Sequence, residues 1–135
     1  MTERDVAAVV AVVEDLMFLS RIREAARGRG LEVKAVRTPA DALAAARAGA
    51  RLVVLDLDSP RLPAAETLAA LHADPLLAGL PVVGFFSHVD AERGRDAARA
   101  GCTTVLPRSA FVQRLGALLA DAAAGAPFPR DTSES

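Results

Sequence analysis

The sequence predicts an α/β fold in which helices cover both faces of a parallel sheet. Two apolar runs, at 9–13 and 52–55, have the length of strands and contain no polar residue. Runs of this kind are typical of strands that are buried on both faces. Strand and helix patterns also alternate at short spacing along the chain, which favours βα units.

Five strands and five helices are predicted. The strands lie at about 6–13, 31–36, 52–57, 81–86 and 103–106, and the helices at about 17–27, 39–49, 64–73, 90–100 and 109–122. The second strand alternates apolar and polar residues, so it should be a half-exposed edge strand.

Local signals mark where the helices begin and end. Gly28 follows the first helix and supplies the left-handed residue that ends it. Thr38 is a capping residue directly before Pro39, which suits the first helical position. Ser109 is predicted to cap the last helix.

Length and composition predict one domain and exclude several function classes. The 135 residues, 52% of them hydrophobic, suit a single domain over 1–124 with a flexible tail at 125–135 rich in Pro, Ser and Thr. A net charge of −1 argues against nucleic-acid binding. The longest apolar run is too short for a membrane span or a signal peptide, and the single cysteine suits a reducing compartment, so we expect a cytoplasmic protein.

Acidic residues follow the two buried strands. Glu14 and Asp15 come after the first strand, and Asp56 and Asp58 come at the end of the third. Since parallel strands end at a common carboxyl edge, these acids should converge there, where open α/β folds place their sites. Converging carboxylates repel one another unless a cation or a basic side chain neutralises them. The alternative is that they only end the strands and contact solvent or Arg108.

Three segments carry a family resemblance. The stretch 52–60 resembles the strand of bacterial response regulator receiver domains that bears their phospho-accepting aspartate. The pair Glu14 and Asp15 is similar to the metal-binding acids of that family, and 101–108 is similar to the segment that ends in its lysine. The resemblance covers about 6–122. It implies a flavodoxin-like, doubly wound (βα)5 fold with five parallel strands in the order 2-1-3-4-5.

The resemblance also implies roles for single residues. Asp56 would accept a phosphoryl group from a histidine kinase. Mg²⁺ would be held by Asp15, by Glu14 directly or through water, by Asp56, and by the carbonyl of Asp58. Oxygen ligands of this kind suit Mg²⁺. A receiver of this type is not itself expected to be an enzyme.

The chain departs from the family at its switch positions. Phe86 stands where receivers have a threonine or serine, and Val105 stands where they have an aromatic residue. Ser87 follows with a hydroxyl, although neighbouring residues of a strand point to opposite faces. Arg108 replaces the lysine, and it either binds phosphate or forms a permanent salt bridge with Asp56.

Two functions follow from these features. The departures favour a stand-alone pseudo-receiver that signals by protein–protein interaction, whereas the retained acids favour a phosphorylatable response regulator with Mg²⁺. A flavodoxin-like cofactor-binding protein is a distant third, because acidic strand ends would repel a cofactor phosphate. By resemblance, partners would bind the face formed by helix four, strand five and helix five. That face is expected to include Arg93, Arg95, Arg99, Val105 and Phe111.

Overall fold

A parallel sheet with helices on both faces forms the protein. The computed structural model describes residues 7–59, 61–86, 91–125 and 131–132, with the backbone alone for 91–94 and 131–132. The strands are β1 (Ala7–Val12), β2 (Leu31–Ala35), β3 (Ala50–Asp56), β4 (Val82–Phe86), β5 (Thr104–Pro107) and β6 (Asp131–Thr132). The helices are α1 (Leu16–Ala26), α2 (Pro39–Arg47), α3 (Ala64–His72), α4 (Ala91–Arg99) and α5 (Arg108–Ala124).

The strand order confirms the predicted fold class. The sheet runs β2-β1-β3-β4-β5-β6, and every neighbouring pair is parallel. The first five strands therefore have the predicted order 2-1-3-4-5. The two-residue strand β6, which pairs with β5, was not predicted. It lies in the segment 125–135, whose flexibility stays a prediction.

The two apolar runs are buried on both faces of the sheet, as predicted. Alternate residues of the central strands point into two separate cores. One core lies under α1 and α5 and includes Val9, Val54 and Phe85. The other lies under α2, α3 and α4 and includes Val10 and Leu55. This two-sided packing fixes the ends of β1, β3 and β5, so it positions the side chains that follow them.

The edge strand and the start of α2 confirm the predictions from the sequence, whereas the start of α5 does not. Strand β2 lies at the sheet edge and is only partly buried. The Thr38 hydroxyl oxygen accepts a hydrogen bond from the Asp41 N–H at 3.0 Å, with Pro39 at the first helical position. The prediction that Ser109 caps the last helix is wrong. Helix α5 begins at Arg108 with Pro107 as its N-cap, so Ser109 lies inside the first turn.

None of the helices in the described ranges has both the length and the apolar content needed to cross a membrane.

Candidate functional site: an acidic pocket paired with arginines

The predicted acids meet in one pocket at the carboxyl edge of the sheet. Its volume is about 290 Å³, and it is lined by Glu14, Asp15, Asp56, Asp58, Ser59 and Arg108. Glu14 and Asp15 follow β1, Asp56 is the last residue of β3, and Arg108 follows β5. The topology alone brings these residues together, because all three strands end at the same edge. Ser59 was not predicted as a site residue, although it follows Asp58 in the same loop.

Asp56 lies at the buried end of this pocket. Only 7% of the residue is exposed, and its Oδ1 accepts a hydrogen bond from the Asp58 N–H at 2.9 Å. This contact is the local turn that aspartate side chains form with the backbone two residues on. Burial raises the pKa of Asp56, and the nearby Asp58 charge adds to that effect. Backbone donors and the Arg108 charge oppose the increase without cancelling it.

Asp15 is the N-cap of α1, a role that was not predicted for it. Its Oδ1 accepts hydrogen bonds from the N–H groups of Met17 at 2.8 Å and Phe18 at 3.3 Å. Its Oδ2 lies 3.4 Å from an Nη of Arg108. Aspartate caps of this kind contribute about 1 kcal/mol to helix stability. Both oxygens of this candidate metal ligand are therefore already bound within the protein.

Glu14 is held by two arginines and a serine. The distances to Glu14 oxygens are 2.8 Å from Arg37, 3.2 Å from Arg61 and 3.2 Å from the Ser59 hydroxyl, which donates. Burial by itself raises the pKa of Glu14. The hydrogen bonds from Arg61 and Ser59 and the arginine charges outweigh burial, so the pKa lies below its ordinary value. Glu14 therefore stays ionised and paired.

Neither Arg37 nor Arg61 was predicted to belong to the site. Arg37 follows β2, which neighbours β1, and Arg61 lies in the loop after β3. Both therefore emerge at the edge where Glu14 lies. The strand order implied by the resemblance contains this signal, since any charged residue directly after a strand reaches that edge.

Arg108 lies on an aromatic surface beside the pocket. Its guanidinium carbon is 4.3 Å from the centroid of the Phe18 ring and 5.9 Å from that of Phe85. The rings of Phe18, Phe85 and Phe111 stack on one another, with centroids 4.8 to 6.0 Å apart. The Nε of Arg108 is buried and has no hydrogen-bond partner among the residues that the structure describes. The guanidinium donates to Asp15, so the salt bridge suggested for Asp56 forms with a different acid.

The two phenylalanines at the end of β4 point to opposite faces of the sheet. Phe85 packs in the α1–α5 core, whereas Phe86 packs in the other core together with Val105. Both phenylalanines are buried. Phe85 approaches the site only through its contact with Arg108. Ser87, the candidate hydroxyl, lies outside the described residues.

The four predicted metal ligands line one pocket without forming a metal centre. Among the described residues, no group of three or more His, Cys, Asp or Glu side chains is placed to hold an ion. The reason is that two of these carboxylates already bind other groups. Glu14 accepts hydrogen bonds from arginines, and Asp15 accepts them from the N-terminus of α1 and from Arg108. In this arrangement the carboxylates do not fit a divalent cation.

A larger groove lies at the opposite, amino edge of the sheet. Its volume is about 930 Å³, and Arg47, Arg51, Leu76 and Thr103 are among the residues that line it. It contains none of the converging acids. We therefore take the smaller acidic pocket as the candidate functional site.

Comparisons with known proteins identify the fold. No protein-family model matches the chain, and no curated protein matches it. A response regulator from Hahella chejuensis is 20% identical, with 86% of this chain and 94% of that chain covered and a TM-score of 0.74. The phosphorylated cyanobacterial phytochrome response regulator RcpA is 23% identical, with 84% and 88% covered and a TM-score of 0.66.

A third solved structure is similar and contains a metal. The Mn²⁺-bound form of response regulator Rcp1 is 18% identical, with 84% of this chain and 88% of that chain covered and a TM-score of 0.64. At these identities the likeness shows that the chain has the fold of response regulator receiver domains.

Proposed function

We propose that this chain is a receiver-type signalling domain that acts by binding other proteins, with its acidic pocket neutralised by its own arginines. Such a domain is a pseudo-receiver and performs no catalytic turnover. The observation that carries the proposal is the pairing of both candidate metal acids: Glu14 with Arg37 and Arg61, and Asp15 with Arg108. The receiver fold supports the signalling role.

The charge balance of the pocket supports this proposal. The carboxylates of Glu14, Asp15, Asp56 and Asp58 meet the guanidinium groups of Arg37, Arg61 and Arg108 at the same edge. A divalent cation would have to displace these contacts before it could reach Glu14 or Asp15. The arginines therefore provide the neutralisation that a bound metal provides in other acidic pockets.

The switch positions support the same proposal. Phe86 and Val105 are 4% and 1% exposed and pack in one core. Neither side chain carries a hydroxyl that could bind a phosphoryl oxygen. Since a packed interior does not deform continuously, movement of these residues would require the core itself to rearrange. The expected mode of action is a constant binding surface.

Phosphorylation at Asp56 is the second candidate function. Asp56 lines the pocket, and the Asp58 N–H orients one of its oxygens. In this reaction an Asp56 oxygen would form a bond to phosphorus, and the donor's own bond to that phosphorus would break, P–N in a phosphohistidine or P–O in acetyl phosphate, so that the donor leaves with the electron pair. The phosphorylated state of RcpA and the Mn²⁺ in Rcp1 belong to those proteins, and they are the reason to test this chain for both.

One experiment separates the two functions. The chain is incubated with acetyl phosphate and Mg²⁺ and measured by intact mass, and with beryllofluoride and Mg²⁺ and measured by NMR. Asp56→Asn is the control. We expect no Asp56-dependent adduct and no Asp56-dependent shifts. An adduct that forms in the native chain and is lost in the control would overturn the pseudo-receiver proposal and establish Asp56 as a phospho-acceptor.

A gain-of-function variant strengthens that experiment. The double substitution Phe86→Thr and Arg108→Lys restores the two residue types that the receiver resemblance implies. If these departures are what prevents phosphorylation, the double variant should form the adduct that the native chain does not. Equal behaviour of the two chains, both without adduct, would mean that other features of the pocket prevent it.

The proposed partner is a protein that binds the face formed by α4, β5 and α5, with a histidine kinase as the partner under the second function. Arg95 and Arg99 are exposed on α4, and Arg99 forms an ion pair with Asp96. Val105 and Phe111 are each 1% exposed, so the prediction that they contribute to this surface is wrong. The side chain of Arg93 lies outside the described residues.

A further inference from the structure

The outer edge of β5 is occupied by a strand from the same chain. Asp131 pairs with Thr104 and Thr132 pairs with Val105, in parallel orientation. The backbone of β6 also lies close to α4. This short strand therefore covers the sheet edge beside α4, on the face where we place the partner surface. The inference drawn from it does not depend on that proposal.

The backbone of β5 identifies the groups that this strand covers. Thr103 directly precedes β5, and its N–H donates to the carbonyl of Val82 in β4 at 2.7 Å. The carbonyls of Pro81 and Phe85 face β3, so alternate residues of β4, among them Gly84, face β5. With Gly84 opposite Val105, the N–H groups of Thr104 and Leu106 face β4, and the N–H and carbonyl of Val105 point to the outer side. Without β6, the outer groups of β5 would form an open sheet edge, which is a template for pairing with another strand.

Only five residues, 126–130, connect Gly125 to β6. Gly125, directly after α5, and Thr103, directly before β5, line the same groove at the amino edge of the sheet. The strand β6 begins opposite Thr104, one residue beyond Thr103. The connection 126–130 can span at most about 20 Å.

The described core residues all precede this strand. Among them, the last buried one is Ala122, in α5. Loss of β6 would therefore leave the packing of the first five strands intact. Its attachment depends on a few backbone hydrogen bonds, each of which contributes about 0.5–1.5 kcal/mol.

We propose that the outer edge of β5 is a strand-addition site, and that its occupant is the chain's own segment around Asp131–Thr132. The site recognises an extended peptide backbone, here in parallel orientation. Addition of an extended strand is a general way in which exposed sheet edges bind peptides. A protein that binds the α4–β5–α5 face has to displace this segment or bind on top of it. The tail thereby limits access to the edge.

Amide hydrogen exchange of the full chain, measured by NMR, tests this proposal. In the observed registers, the Val105 N–H is placed to donate to the carbonyl of Asp131, and the Asp131 N–H is placed to donate to the carbonyl of Thr103. Asp131→Pro removes the second donor, and Asp131→Ala keeps it as the matched control. We expect Asp131→Pro to accelerate exchange at Val105 about threefold to tenfold, the factor that corresponds to one backbone hydrogen bond. Exchange at Thr104 and Leu106, which face β4, should not change.

Other outcomes contradict the proposal. If Val105 exchanges at the same rate in the native chain and in Asp131→Pro, β6 does not protect the edge. If protection is lost on dilution, a second copy provides the strand and the proposed occupant is wrong. Neither result depends on acetyl phosphate or on the acidic pocket, so failure here is distinct from failure of the proposed function.

A peptide experiment gives an independent measurement. A synthetic peptide with the sequence of 126–135 is added to the chain ended after Gly125, which retains every core residue that the structure describes. We expect NMR shift changes confined to β5 and α4, and much weaker changes in the full chain, whose edge is already occupied. Equal responses of the two chains would overturn the proposal.

Discussion

Replacing Arg108 with methionine should tighten Mg²⁺ binding to the acidic pocket and slightly destabilise the fold. Methionine retains a long apolar side chain above the Phe18 ring but removes the positive charge. The substitution frees one oxygen of Asp15, which lies 3.4 Å from the guanidinium in the native chain. It also removes a positive charge that would repel an incoming cation.

The magnitude follows from the contacts of Arg108. The side chains of Arg108 and Asp15 are 37% and 42% exposed, so solvent screens their attraction and the pair contributes about 0.2–1 kcal/mol. The guanidinium over Phe18 contributes about 0.5–2 kcal/mol. Methionine packing and removal of the unpartnered Nε offset part of this loss. We expect a net loss of about 1 kcal/mol in the free energy of unfolding.

The expected gain in Mg²⁺ affinity is about tenfold, which corresponds to about 1.4 kcal/mol from release of Asp15 and loss of the repelling charge. An NMR titration with MgCl₂ that follows the amides of Asp56 and Asp58 measures it. Arg99→Met, an exposed arginine on α4 outside the pocket, is the matched control and should leave the affinity unchanged. If Arg108→Met binds Mg²⁺ no more tightly than the native chain and this control, Arg108 does not neutralise the pocket.

Three further predictions concern stability. The hydrogen bond from Arg47 holds the pKa of Asp74 below its ordinary value. The ionised Asp74 carboxylate therefore stabilises the fold fully above the ordinary pKa, and this stabilisation is lost as the pH falls through the lowered pKa. Urea unfolding should therefore show a smaller loss of stability in acid for Asp74→Asn than for the native chain, and identical pH profiles would contradict this reasoning. Burial raises the pKa of Cys102 to about 12 from 9.0, so stability should decline as the pH rises from 9.0 toward 12, and iodoacetamide should label the thiol at pH 8 only after unfolding. Rapid labelling of the native chain would show that the thiol is accessible. Gly101 has a φ of +117° and its added Cβ would meet the His72 ring, so Gly101→Ala should lower the melting temperature. Addition of His72→Ala should restore part of that loss, and a double variant no more stable than Gly101→Ala would show that backbone strain alone is responsible.

The residues of the pocket were predictable because they follow strands. Asp56 and the pair Glu14 and Asp15 stand directly after apolar runs, and the parallel order of the sheet brings these ends together. Arg108 follows β5 for the same reason. The resemblance to receiver domains assigned the same four positions, and the observed pocket contains all of them.

The pairing within the pocket could not be predicted in the same way. Arg37 is separated from Glu14 by 23 residues, and Arg108 is separated from Asp15 by 93. Four acids line the pocket together with Arg108, so which of them it pairs with depends on side-chain geometry. The stacked position of Arg108 over Phe18 directs its guanidinium to Asp15. A salt bridge with Asp56 was expected because an arginine that reaches this carboxylate could take the place of metal and phosphate.

The sequence by itself determined the fold class, the strand order by resemblance, and the edge of the sheet at which the charged residues collect. These properties follow from hydrophobic periodicity and from the direction of parallel strands, which are local or topological. Only the tertiary structure decided which charges pair, that Val105 and Phe111 are buried, and that a strand after α5 covers β5. Those properties depend on distances of a few ångströms between segments far apart in the chain, and no local pattern in the sequence records them.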